Sequence, residues 1–230
     1  MPEISHHLQQ VYHEILLYEQ EFGRKPGVVK LVAVSKAQPW SRLFEVRKCG
    51  QTLFGESYLQ EALEKIDRLR DMGIEWHFIG PVQSNKTRLI AENFDWVHSI
   101  DRIKVAQRLS LQRPDNLPPL QVLIQVNTSN ETSKSGCSFS AIPELAKQIK
   151  SLPGLQLRGL MSIPASSNEF SEQRKPFRKL KATLRELNRS GYELDTLSMG
   201  MSRDIRAAIA EGATMVRVGT AIFGGRASKP

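Results

Sequence analysis

A strand-sized apolar run recurs eight times along this chain of 230 residues, and helical patterns stand between the runs. That alternation restricts the fold more than any other feature. The runs cover residues 28–35, 52–54, 74–79, 95–99, 120–126, 155–162, 196–198 and 214–218. Ile4, Leu8, Val11 and Ile15 recur at helical spacing and mark a leading helix that ends near Gly23. Ser41 suits the cap of the helix that runs to Cys49, and Pro143 suits the first residue of the helix after the fifth strand. Strands that alternate with crossover helices form a parallel sheet, either open or closed. No Gly-x-Gly-x-x-Gly turn follows the first strand, which argues against an open dinucleotide-binding sheet. The expectation is an α/β protein, a single closed (β/α)8 TIM barrel with an extra leading helix, occupying residues 1–230 as one domain.

Composition narrows the class. Hydrophobic residues make up 40% of the chain and charged residues 24%, an ordinary balance for a globular protein in water. Met1–Gln10 is polar and lacks the apolar centre of a secretory signal, and no apolar run is long enough to span a bilayer. Cys49 and Cys137 are the only cysteines and lack metal-ligand spacing, so a reducing cytoplasm and no metal are expected. A net charge of +8 admits anionic partners. Its densest patch, Arg174, Arg178, Lys181 and Arg185, lies opposite a stripe of Phe177, Leu180, Leu184 and Leu187. That is the pattern of a solvated helix face, and no interleaved aromatics suggest nucleic acid as the primary partner.

In a barrel, chemistry sits at the carboxyl ends of the strands. The first such end is Leu31-Val-Ala-Val-Ser-Lys36, with Pro39 beyond it. Desolvation at the mouth of a buried strand favours the free amine of Lys36, the form that condenses with a carbonyl. The seventh strand runs into Ser198-Met-Gly200-Met-Ser202, and Ser202 suits the cap of a helix beginning near Arg203. The eighth runs into Gly219-Thr220, where backbone and hydroxyl can approach a phosphate. In Met215-Val-Arg-Val-Gly219, alternation turns Val216 and Val218 toward the helices and Arg217 inward. A buried guanidinium needs a partner, either a structural one such as Glu56 or a bound ligand.

These residues resemble the fold-type III pyridoxal phosphate proteins, the alanine-racemase-like barrels. The detailed likeness is to the pyridoxal phosphate homeostasis protein family. It is carried by LVAVSK at 31–36, FGESYLQEALEK at 54–65, WHFIGPVQSNK at 76–86, QVNTSNETSKSG at 125–136, LRGLMSIPA at 157–165 and LSMGMSRDIRAAIAEGATMVRVGTAIFG at 197–224. The resemblance implies pyridoxal 5′-phosphate as cofactor, held by Lys36 as an internal aldimine. It implies Ser202, Gly219 and Thr220, helped by Ser198 and Gly200, at the phosphate, and Arg217 facing the pyridine nitrogen. Lys134 and His77 also match the family, whereas Ser57 and Gln38 depart from it: the family commonly has Asn and a second lysine there.

The resulting expectation is a cytoplasmic, monomeric carrier that helps regulate vitamin B6 and amino-acid homeostasis without efficient turnover. It assigns no catalytic residue and places apo forms of pyridoxal phosphate enzymes as recipients. Racemases of this kind add a β-rich domain, which is not expected after the eighth strand here. A racemase or decarboxylase using the same cofactor, and a basic nucleic-acid-binding module, are the alternatives.

Overall fold

The fold is given by a computed structural model that describes residues 2–129, 131 and 135–225. Eight parallel strands close into a barrel in chain order: β1 (Lys30–Val34), β2 (Leu53–Glu56), β3 (Glu75–Phe78), β4 (Trp96–Ile100), β5 (Leu120–Val126), β6 (Leu155–Ser162), β7 (Thr196–Ser198) and β8 (Met215–Val218). The helices around them are α1 (Pro2–Glu21), α2 (Trp40–Lys48), α3 (Leu59–Arg68), α4 (Thr87–Asn93), α5 (Ile103–Gln112), α6 (Ile142–Lys150), α7 (Phe170–Arg189), α8 (Ile205–Ala210) and α9 (Thr220–Phe223). The expected barrel and its leading helix are present. The short α9 is an addition that four residues between Gly219 and Gly224 did not announce.

Closure is made where β1 meets β8, in register from Lys30 opposite Met215 to Ala33 opposite Val218. Residues on the outer faces of the strands pack against the helices, while Val32, Trp96, Leu123, Met161 and Met215 fill the barrel with Leu53 against them. Helix α1 contacts α2, α8 and α9, so it covers the seam. Its stripe of Ile4, Leu8, Val11 and Ile15 is buried, and each such side chain stabilises the fold by about 1.5–3 kcal/mol. The same helix orients the first strand: the Glu19 carboxylate accepts the N–H groups of Gly27 at 2.8 Å and Val29 at 2.7 Å.

Two expected caps are corrected. Helix α2 begins at Trp40 directly after Pro39, so Ser41 lies inside its first turn. Helix α8 begins at Ile205, with Asp204 at the position before it. Ser202 instead belongs to a turn, in which Asp204 Oδ1 accepts the Met201 N–H at 2.5 Å. The basic face of α7 is partly paired, since Arg174 and Arg178 both bond the Glu211 carboxylate. Among the described residues, no helix is long and apolar enough to cross a membrane.

Candidate functional site at the carboxyl mouth of the barrel

Lys36 occupies the turn that leaves β1 and is half-buried. The chain beneath it is held from three sides. The Ser35 hydroxyl donates to Glu56 Oε1 at 2.6 Å, and Lys65 Nζ donates to the Ser35 carbonyl at 2.7 Å. The Ala37 N–H donates to Glu61 Oε1 at 2.7 Å. Lys65 also bonds Glu56 and Glu61, which joins the three contacts into one ion cluster. Burial pushes the Glu56 carboxyl up from its ordinary range, and the Lys65 ammonium opposes that rise. Ala37 has φ +59°, a left-handed conformation that costs an L-residue roughly 1–2 kcal/mol. Local strain therefore sits next to Lys36 and is offset by the cluster.

Across the seam, Arg217 points inward as the alternation requires, and it is 3% exposed. Glu56 is not its partner, because that carboxylate is taken by Lys65 and Ser35. Arg217 Nη1 donates to Ser198 Oγ at 2.6 Å and Nη2 donates to the Ser162 carbonyl at 2.9 Å. Burial lowers its pKa to about 10, with the Asp204 charge acting in the other direction. The Ser162 hydroxyl is buried beside it with no hydrogen-bond partner among the described residues.

The glycines bring the two halves together. Gly200 has φ +98°, and a Cβ there would lie 2.6 Å from the Ala208 Cβ, so only glycine fits. Its carbonyl accepts the Arg217 N–H at 3.0 Å. A Cβ on Gly219 would come to 3.0 Å from the Val34 carbonyl oxygen, which sets this loop against the end of β1. Thr220 opens α9 and is exposed. Ser202 stands apart from this bonded group, exposed beside a cavity of about 230 Å³ between residues 164–167 and 201–204. Lys134 lies outside the described residues.

Residues that the sequence reading did not single out complete the picture. His98 is wholly buried; its Nδ1 is 2.9 Å from Ser198 Oγ and its Nε2 is 2.9 Å from His77 Nδ1. The fixing of Ser35 and Ala37 by Lys65 and Glu61 was hidden as well, because both residues read as the polar face of α3. Phase was the available signal: Lys65 follows Glu61 by four positions, and the pair turns toward the barrel instead of solvent.

Comparison with known proteins places this geometry. Residues 7–227 match the family described as alanine racemase, N-terminal domain. The pyridoxal phosphate homeostasis protein of Vibrio alginolyticus is 53% identical over 98% of this chain and 99% of its own. The protein of the same name from Pseudomonas aeruginosa is 54% identical over 98% and 97%. Among solved structures, PipY of Synechococcus elongatus with PLP bound is 34% identical, superposes with a TM-score of 0.80, and spans 91% of this chain and 100% of its own. A barrel matched across nearly its whole length, in sequence and in structure, leaves one assignment: the chain belongs to the pyridoxal phosphate homeostasis protein family, within the alanine racemase N-terminal domain barrels.

Proposed function

We propose that this protein binds pyridoxal 5′-phosphate at the carboxyl mouth of its barrel, carries it as a Lys36 aldimine, and helps regulate vitamin B6 and amino-acid homeostasis without efficient turnover. The observation that carries the reading is the pairing of β1 with β8, which sets the strand that leads into Lys36 beside the strand that bears the inward Arg217. The names of its relatives and the PLP-bound PipY structure support it.

The residues present fit the cofactor. The buried Ser162 hydroxyl, with no hydrogen-bond partner among the described residues, and the buried Arg217 guanidinium are polar groups that an anionic heteroaromatic ligand could engage. Gly219, Thr220, Gly200 and Ser202 line the ends of β7 and β8, where a phosphate would be held on backbone and hydroxyl groups, while Ser198, whose hydroxyl is bonded to Arg217 and His98, would act through Arg217. When bound, the cofactor supplies an electron sink for an attached amine. Arg217 would weaken that sink, because a guanidinium only donates and a ring nitrogen held against it would stay unprotonated. Acid–base partners are also sparse. Tyr12 is bonded to Gln51, Tyr18 and Tyr192 pack on the core, and Tyr58, just beyond β2, is 54% exposed. The reading includes a monomeric, cytoplasmic carrier that hands its cofactor to apo-enzymes, with no nucleic acid as primary partner.

Two measurements test it. Pyridoxal, which lacks the phosphate, is expected to bind far more weakly than pyridoxal 5′-phosphate, since each charge-assisted hydrogen bond is worth roughly 1.5–3 kcal/mol. Incubation with a panel of L- and D-amino acids is expected to give no sustained racemisation, decarboxylation or transamination. Turnover approaching about 1 per second would establish an enzyme instead of a carrier.

A further inference from the structure

Arg217 is the first member of a hydrogen-bonded chain that crosses the interior of the barrel. Ser198 follows it at 2.6 Å, His98 at 2.9 Å, His77 at 2.9 Å and Glu75 at 2.9 Å. Serine and both histidines are fully buried. His77 is stacked on Trp96 at 5.5 Å, which fixes its ring plane. Glu75, the first residue of β3, opens onto a cavity of about 320 Å³ at the amino end of the barrel, opposite the mouth that holds Lys36. We infer that Glu75, His77, His98 and Ser198 form a one-directional positioning relay, which orients Arg217 toward the bound cofactor and couples it to a carboxylate on the far face of the barrel.

The direction follows from counting protons. A guanidinium can only donate, and an ionised carboxylate can only accept. The two facing imidazole nitrogens share one proton, and two cations in that space would repel without water to screen them. Burial lowers the pKa of both histidines, with His77 and Arg217 adding to the effect at His98. Glu75 and Asp95 oppose the shift at His77, while Lys30 adds to it. With both rings neutral, His77 Nε2–H donates to Glu75, which leaves His77 Nδ1 to accept from His98 Nε2–H. His98 Nδ1 then accepts from the Ser198 hydroxyl, and Ser198 accepts from Arg217. Each bond determines the next, so the ionised carboxylate at the floor and the guanidinium at the mouth together order every donor between them.

This inference rests on the cofactor reading only for what Arg217 faces, and the experiment separates the two. Nitrogen-15 NMR of the cofactor-free protein reads the histidine tautomers directly. His77 and His98 are expected as Nε2–H tautomers that do not titrate between pH 6 and 8.5. A cation or an Nδ1–H tautomer at either position overturns the relay. Glu75→Gln, at a site open to solvent, replaces a pure acceptor by a group that also donates. The Nε2–H populations of both rings should then fall together, and the dissociation constant for pyridoxal 5′-phosphate should rise about three- to tenfold, as expected for losing one ordered hydrogen bond. His98→Gln is expected to weaken binding by a similar factor and to shift the absorption maximum of the bound cofactor. Unchanged tautomers together with unchanged affinity in Glu75→Gln would overturn the positioning role. Should the wild-type protein fail to bind the cofactor at all, the proposed function falls while the tautomers still decide the relay.

Discussion

At the scale of single residues, the two thiols show how burial sets reactivity. Cys49 is exposed at the end of α2, whereas burial raises the Cys137 thiol to about 11. A thiolate is the reacting form, so at pH 7.5 an exposed-thiol reagent should label Cys49 quickly and Cys137 far more slowly. Comparable rates would contradict the burial of Cys137. Residue types told much of the site in advance. Lys36 ends an apolar run, and Arg217 alternates with valines, so both could be placed by period alone. Partners could not be placed that way. Glu56 was a reasonable counter-ion for Arg217 by strand position, but Lys65 reaches it first from α3, a contact that depends on the distance between two elements.

At the scale of elements, the cluster under the β1 turn is the testable unit. Glu56 is completely buried and Lys65 is its only cationic partner among the described residues. Lys65→Met leaves that carboxylate without compensation and is expected to destabilise the fold by about 3 kcal/mol, read from denaturant unfolding. Adding Glu56→Gln should recover part of the loss, because it removes the stranded charge. If the double variant were less stable than the single one, the cluster would not be the source of the effect. Element boundaries were legible where a full strand period was available: β5, β6 and β7 lie at the residues expected. The caps of α2 and α8 were misplaced for a local reason. Pro39 already presets the start of α2, and the Asp204 carboxylate accepts the Met201 N–H, which folds the chain through a turn at Ser202 and delays the helix to Ile205.

At the scale of the whole molecule, the buried histidines tie stability to pH. Folding lowers the proton affinity of His77 and lowers that of His98 strongly, so below about pH 6.5 the unfolded chain binds protons that the folded one lacks. Their contribution is complete above that pH and is lost as pH falls through the window beneath it. Each adds a slope of up to about 1.4 kcal/mol per pH unit. His98→Gln should flatten the fall between pH 6.5 and 5 relative to wild type, and an unchanged slope would contradict a neutral His98. The barrel as a whole was legible because eight apolar periods allow few closed arrangements. The interior polar chain was not, since it joins four strands whose order in space follows only from closure.

One lysine at the mouth of this barrel, Lys36, is expected to hold the cofactor. The decisive measurement is borohydride reduction of the protein loaded with pyridoxal 5′-phosphate, followed by mass mapping of the labelled peptide. The label is expected on Lys36, and Lys36→Ala should abolish it while leaving the fold intact. A label found chiefly on Lys65, Lys134 or any other lysine would contradict the account.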